Sequence, residues 1–235
     1  MESLRYTENW RWKCSIQSLP VAVGAESGTC TLYATNSPTG SSVLRPRSSI
    51  WTNYRYSAQD RAYFFPVTEI EIKVLGISEL LSQFSPNSGF ILKLDTQGSE
   101  FSILSGLSDY FKSNRVLAVE SEVSLLNQPP YEDAPRLWDV VGAMEDRGFE
   151  TLQIDVIERA TGNVRSGARG AVAEADVLFV LRRELVMNRD LNSRLQLLCI
   201  YVTYGLFCEA ELLLNDDSEL SDFLEAHSQL GKLKL

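Results

Sequence analysis

The stretch Phe90-Ile91-Leu92-Lys93-Leu94-Asp95-Thr96-Gln97-Gly98-Ser99-Glu100-Phe101-Ser102-Ile103-Leu104 decides the fold. Its opening is apolar at every position but Lys93 and stops at Asp95, the pattern of a central strand covered on both faces. Thr96-Gln97-Gly98 supplies a turn. Phe101, Leu104 and Leu107 then recur at helical spacing, with Glu100 in the electropositive first turn of that helix.

Downstream, Val116-Leu117-Ala118-Val119 reads as the next buried strand, running into Glu120-Ser121-Glu122. Because side chains alternate along a strand, Glu120 and Glu122 share one face and Ser121 takes the other. Pro129 and Pro130 mark a loop, and Leu137, Val140, Val141 and Met144 trace one face of a helix that Gly148 can end. Thr151 to Ile157 alternates and Val177 to Val180 is continuously apolar, two further strands separated by a Gly-rich loop from Thr161 to Gly170.

Upstream, Val21-Ala22-Val23 reads as a short strand and Thr29 to Thr35 as a second, joined by a tight turn over Gly24 to Gly28. In Val67 to Leu75, Ile70, Ile72 and Val74 alternate with Glu69, Glu71 and Lys73, a half-exposed strand. Between them, 36–61 is a long loop by composition, rich in Ser, Pro, Thr, Asn and Arg. Its arginines 45, 47, 55 and 61, interleaved with Trp51, Tyr54 and Tyr56, read as a solvated loop rather than a phosphate clamp.

Strands alternating with helices predict an α/β fold, its central strands parallel and its last pair antiparallel. From Glu184 on, the chain reads as helical, which divides it into an α/β domain over 1–183 and a helical extension over 184–235. Leu195 to Cys208 is the longest apolar run, interrupted by Gln196 and Thr203, and is shorter than the roughly 20 residues a bilayer needs. It predicts a buried helix. Glu209, Glu211, Asp216, Asp217, Glu219, Asp222 and Glu225 are expected to stay in water.

With 235 residues, 44% of them apolar and 23% charged, the chain can bury a core without metal or disulfide staples. Thirty-one acids against 22 bases give a net charge of −9, which argues against nucleic acid as a partner. The four cysteines, at 14, 30, 199 and 208, form no C-x-x-C pair, so no metal site is suggested and reduced thiols in the cytoplasm fit best. The charged start Met1 to Arg5 is not a secretory signal, and no membrane segment is expected. His227 is the only histidine and sits in the acidic tail, which leaves histidine-based triads little to work with.

In open α/β sheets ligands bind beyond the carboxyl ends of the strands, where Asp95 stands. Its carboxylate can accept hydrogen bonds from a ligand, and Gly98 lets the backbone approach closely. Glu120 and Glu122 end the neighbouring strand. All three acids have an alternative reading as helix caps or as partners of arginines.

The run Leu92 to Gly106 resembles the signature of the FkbM-type S-adenosylmethionine-dependent methyltransferases. Pro20 to Gly28 resembles that family's third strand and turn, and Ser41-Ser42-Val43-Leu44 and Ile70-Glu71-Ile72 are also similar. So are Val119 to Glu122, Tyr131, Gly148-Phe149 and Ala175 to Val180, so that the similarity runs from about Pro20 to Leu181. The resemblance implies a Rossmann-like class I methyltransferase sheet of seven strands with a reversed last strand. The family's opening strand and Gly-rich turn find no counterpart, so an N-terminally truncated version of that sheet is expected.

It further implies S-adenosylmethionine as cofactor, with Ala22 and Val23 beside the adenine. Asp95 with Gln97, and Gly98 behind them, would stand near the methionine end or the acceptor hydroxyl. The implied reaction is methyl transfer to an oxygen of a small hydroxylated metabolite or sugar. Such a transfer needs alignment and one base, either Asp95 or Glu122. The alternative is a non-catalytic methyltransferase-like module that pairs with another chain, or with its own copy, through a sheet edge left bare near Leu92 or Val21. A nicotinamide-dependent dehydrogenase would need a glycine turn for which there is no motif.

Overall fold

A computed structural model describes residues 17–49, 62, 65–85, 89–160 and 171–227. Strands β1 (Ala22–Gly24), β2 (Gly28–Thr35) and β3 (Pro66–Gly76) precede a short helix α1 (Ile77–Leu81). Then come β4 (Phe90–Leu94), α2 (Glu100–Ser105), α3 (Ser108–Lys112), β5 (Val116–Ser124), α4 (Leu137–Glu145), β6 (Phe149–Ala160) and β7 (Ala171–Leu181). Four helices follow: α5 (Arg183–Met187), α6 (Leu191–Thr203), α7 (Phe207–Asp216) and α8 (Ser218–Ala226). The fold class is α/β, as the alternation of patterns predicts. None of the described helices is long and apolar enough to cross a membrane.

The described strands form two sheets, ordered β1-β3-β2 and β4-β5-β7-β6. In the larger sheet β4 and β5 run parallel, whereas β7 is antiparallel to both β5 and β6, the expected reversed pair. β1 and β2 are two strands joined by a tight turn, as expected, with β3 lying between them, parallel to β1 and antiparallel to β2. One expectation is corrected: among the described strands β4 lies at the edge of its sheet, with Leu92 and Leu94 buried but Ile91 53% exposed and Lys93 in solvent. In β3, Ile72 and Val74 are half-buried but Ile70 is exposed, since the small sheet is not covered along its whole length.

One core unites the larger sheet with helices from the middle and from the C-terminal part of the chain. Ile103, Leu104, Val140 and Met144 from α2 and α4 share it with Val119, Phe179, Leu197, Ile200, Leu213 and Leu220. The helices α6 to α8 therefore pack on this domain, but the Leu195 to Cys208 run is not one buried helix: α6 ends at Thr203 and α7 begins at Phe207, and the buried face comes from Leu197, Leu198, Ile200 and Tyr201. One acid departs from expectation. Asp217 is buried, both oxygens 2.8 Å from one guanidinium nitrogen of Arg194, and it also caps α8 by accepting from the Leu220 N–H at 3.0 Å. A carboxylate can be buried this way only with a cation and a backbone donor to replace water.

Described contacts stitch the two sheets together. The chain leaving α2 lies so close to the β1–β2 turn that a Cβ on Gly106 would strike the backbone of Ala25. The loop after β2 crosses to the loop after β5: Arg47 N–H donates to the Pro130 carbonyl at 2.7 Å, and Glu132 N–H to that of Arg45 at 2.8 Å. Arg47 also donates through Nε to the Pro129 carbonyl at 3.2 Å, and Arg45 pairs with Glu69 and lies over the Tyr33 ring. These two arginines thus hold structure in place of standing free in solvent. Arg55, Arg61, Trp51, Tyr54 and Tyr56, like the Thr161 to Gly170 loop and Cys14, lie outside the described residues.

Candidate active site

At the carboxyl end of β4 the chain makes a turn that only a few residues tolerate. Gln97 has φ +57° and Gly98 φ +96°, two consecutive residues in the left-handed region. Gly98 suits this conformation, whereas Gln97 is held in it against its preference. The clamp comes from three directions. Glu100, at the start of α2, accepts from the Thr96 N–H at 2.6 Å and the Gly98 N–H at 3.2 Å. Ser42, in the loop after β2, donates its hydroxyl to the Gln97 carbonyl at 2.7 Å. The Tyr131 phenol, in the loop after β5, meets the Gln97 side-chain Oε1 at 3.1 Å.

The clamp presents Asp95. Its carboxylate is exposed at the strand end, and Gln97 Nε2 donates to its Oδ1 at 3.2 Å. Among the described residues no arginine pairs with it. Glu100 is buried beneath the turn, and burial pushes its carboxyl above the ordinary value although the two N–H donors pull the other way.

The strand register places the two neighbouring acids on one face, as expected. Leu94 pairs with Ser121, so Glu120 and Glu122 lie on the sheet face of Lys93, and Ser121, fully buried, on the opposite one. Glu120 accepts from Lys93 Nζ at 2.6 Å and from the Tyr204 hydroxyl at 2.7 Å. Burial alone would raise the Glu120 carboxyl, but these two donors hold it below the ordinary value. Tyr204, partly buried against it, is pushed up to about 12. Glu120 is thus committed to anchoring the end of α6 to the sheet.

Glu122 lines a small cavity under the turn together with Gly98, Ser121, Tyr131, Val140 and Glu174. At about 20 Å³ the cavity has room for roughly one water. Ala22 and Val23 lie in β1 of the other sheet, half-buried and paired with Val74 and Leu75. The described contacts join Asp95 and Gln97 directly, with Gly98 next in the same turn; Gly98 and Glu122 line one cavity, and Val23 packs against the core that the helix after the turn shares. Sequence reasoning did not single out Ser42, Glu100 or Tyr131 as site residues. Ser42 and Tyr131 act on Gln97 from 55 and 34 residues away, where only the fold makes them neighbours.

A family model, the methyltransferase FkbM domain, matches residues 2–151, more than half of the chain. The chain belongs to the FkbM methyltransferase family. The match takes in the small sheet, β4, the Gln97 turn and β5, and stops as β6 begins. No curated protein and no solved structure matches the chain. In this FkbM-family domain, the turn after β4 is where the Asp95–Gln97–Gly98 motif and the local strain of the backbone coincide. Strain of this kind persists only where surrounding contacts enforce it.

Proposed function

We propose that this FkbM-family protein transfers a methyl group from S-adenosylmethionine to a hydroxyl oxygen of a small metabolite or sugar, with Asp95 facing the donor. The observation that carries the reading is an exposed, ordered carboxylate at a strand's carboxyl end, on a turn fixed by Ser42, Glu100 and Tyr131. S-adenosylmethionine, when bound, supplies a positively charged and strongly electrophilic methyl centre. The residues present fit such a group. A fixed carboxylate attracts positive charge without reorganising, and Gln97 keeps it oriented. Asp95 is also placed to accept the acceptor's hydroxyl proton, the one acid–base event the transfer needs. Glu122 is the other candidate base, on the cavity side of Gly98. Since that cavity holds about one water, a sugar-sized acceptor has to approach from the open, Asp95 side. Three thiols, Cys30, Cys199 and Cys208, are free, which supports a cytoplasmic setting.

Titration calorimetry with S-adenosylmethionine tests this. The native chain should bind, and Asp95→Ala should weaken binding at least tenfold, about 1.4 kcal/mol. Equal affinities would remove Asp95 from the site.

A second reading, an interaction module, is favoured by one observation: β4 and β1 are both edge strands, and Ile91 and, just before β1, Val21 (46%) are exposed there. Unpaired backbone groups beside apolar side chains invite a further strand. Under this reading light scattering detects dimers or larger species, and a concentration-independent monomer rules it out for self-pairing.

A further inference from the structure

Tyr131 is 3% exposed, and its phenol oxygen lies between two acceptors, the Gly40 carbonyl at 2.8 Å and Gln97 Oε1 at 3.1 Å. A phenol carries one proton, so it cannot satisfy both fully. The far end of the Gln97 amide removes the freedom in this choice. Its Nε2 faces the Asp95 carboxylate at 3.2 Å and must be the donor there, because an ionised carboxylate only accepts. Oε1 is thereby turned toward Tyr131, which has to donate to it or leave two oxygens facing each other. The Gln97 backbone cannot move away to relieve this, since Ser42 holds its carbonyl and Glu100 holds the flanking N–H groups.

We propose that Tyr131 is a positioning residue: through the Gln97 amide, its hydroxyl fixes the orientation of the Asp95 carboxylate. This rests on the reading of Asp95 as the donor-facing group. The relay also serves both protonation states of that group. When Asp95 has taken the acceptor's proton, its O–H can donate to Oε1 of a reversed amide. Nε2 then donates to the Tyr131 oxygen, and the phenol O–H keeps its proton and donates to the Gly40 carbonyl alone. The site resets when Asp95 releases its proton to water.

The test uses ¹⁵N-labelled chain and S-adenosylmethionine, which carries the positive sulfonium, as probe. Tyr131→Phe keeps the ring and removes only the hydroxyl. It should move the Gln97 side-chain amide resonances toward those of free glutamine. It should also weaken the probe by about threefold to tenfold, the range of one lost hydrogen bond. Gln97→Ala should weaken the probe at least as much, and the double variant should be no worse than Gln97→Ala alone, because the hydroxyl acts only through the amide. An unmoved Gln97 amide in Tyr131→Phe, or losses that add in the double variant, overturns the relay. Should Tyr131→Phe not fold, Gln97→Ala reads the same link from the other end: an unmoved Tyr131 Cζ resonance overturns it. Native chain that does not bind the probe refutes the methyltransferase reading of the site, while the amide shift without ligand still decides the relay.

Discussion

Replacing Glu100 by alanine is expected to lower the unfolding free energy by about 2–4 kcal/mol, because two backbone N–H groups lose their only buried acceptor. Those groups, of Thr96 and Gly98, flank the left-handed Gln97, so the same change should also release the turn and abolish S-adenosylmethionine binding. Glu100→Gln keeps an oxygen in place and should cost far less. It also isolates a pH effect. Burial raises the Glu100 carboxyl in the folded chain, so the native state holds that proton more tightly than the unfolded state does. Its contribution to stability is complete below the ordinary glutamate value and is lost as pH rises through the raised one. Urea unfolding between mildly acidic and neutral pH should therefore show native chain losing stability relative to Glu100→Gln as pH rises. Parallel curves would contradict the assignment, as would an alanine variant as stable as the native chain.

Arg194→Ala should destabilise by about 3–5 kcal/mol, the range for stranding one member of a buried ion pair. The stranded group is Asp217, whose side chain is 2% exposed and holds the α8 N-terminus to α6. Glu219, mostly exposed, also pairs with Arg194 but has water as a substitute. The double variant Arg194→Met with Asp217→Asn keeps the cap and removes both charges, and should recover most of the loss. Urea midpoints measure both; a loss below about 1 kcal/mol for Arg194→Ala would show the pair to be solvated.

The large sheet was readable in the sequence because β4, β5, β6 and β7 carry their own patterns, and the reversal at β7 follows from a short connection between the last two strands. What failed were inferences that needed partners distant in the chain. The apolar run Phe90 to Leu94 cannot reveal that no described strand lies beyond it. The two strands joined by the Gly24 to Gly28 turn were legible, but not that β3, beginning some 30 residues later, lies between them. Asp217 reads as one more surface acid until Arg194 is brought beneath it, 23 residues away. In the site, Asp95, Gln97 and Gly98 belong to one short motif and were legible for that reason. Glu100 was placed correctly in the first helical turn, but its burial depends on the backbone curling over it at Gln97 and Gly98. Ser42 and Tyr131 entered only as parts of the family resemblance and without a role, since a hydroxyl two loops away acquires one only when both loops fold onto the same turn.

The claim at the centre is that the turn closing β4 receives the methyl donor. Backbone ¹H–¹⁵N spectra of native chain recorded during addition of S-adenosylmethionine test it most directly. The account predicts that the largest saturable shifts fall on Asp95, Thr96, Gln97 and Gly98. Shifts confined to other strands, or a spectrum that does not change at all, would contradict it.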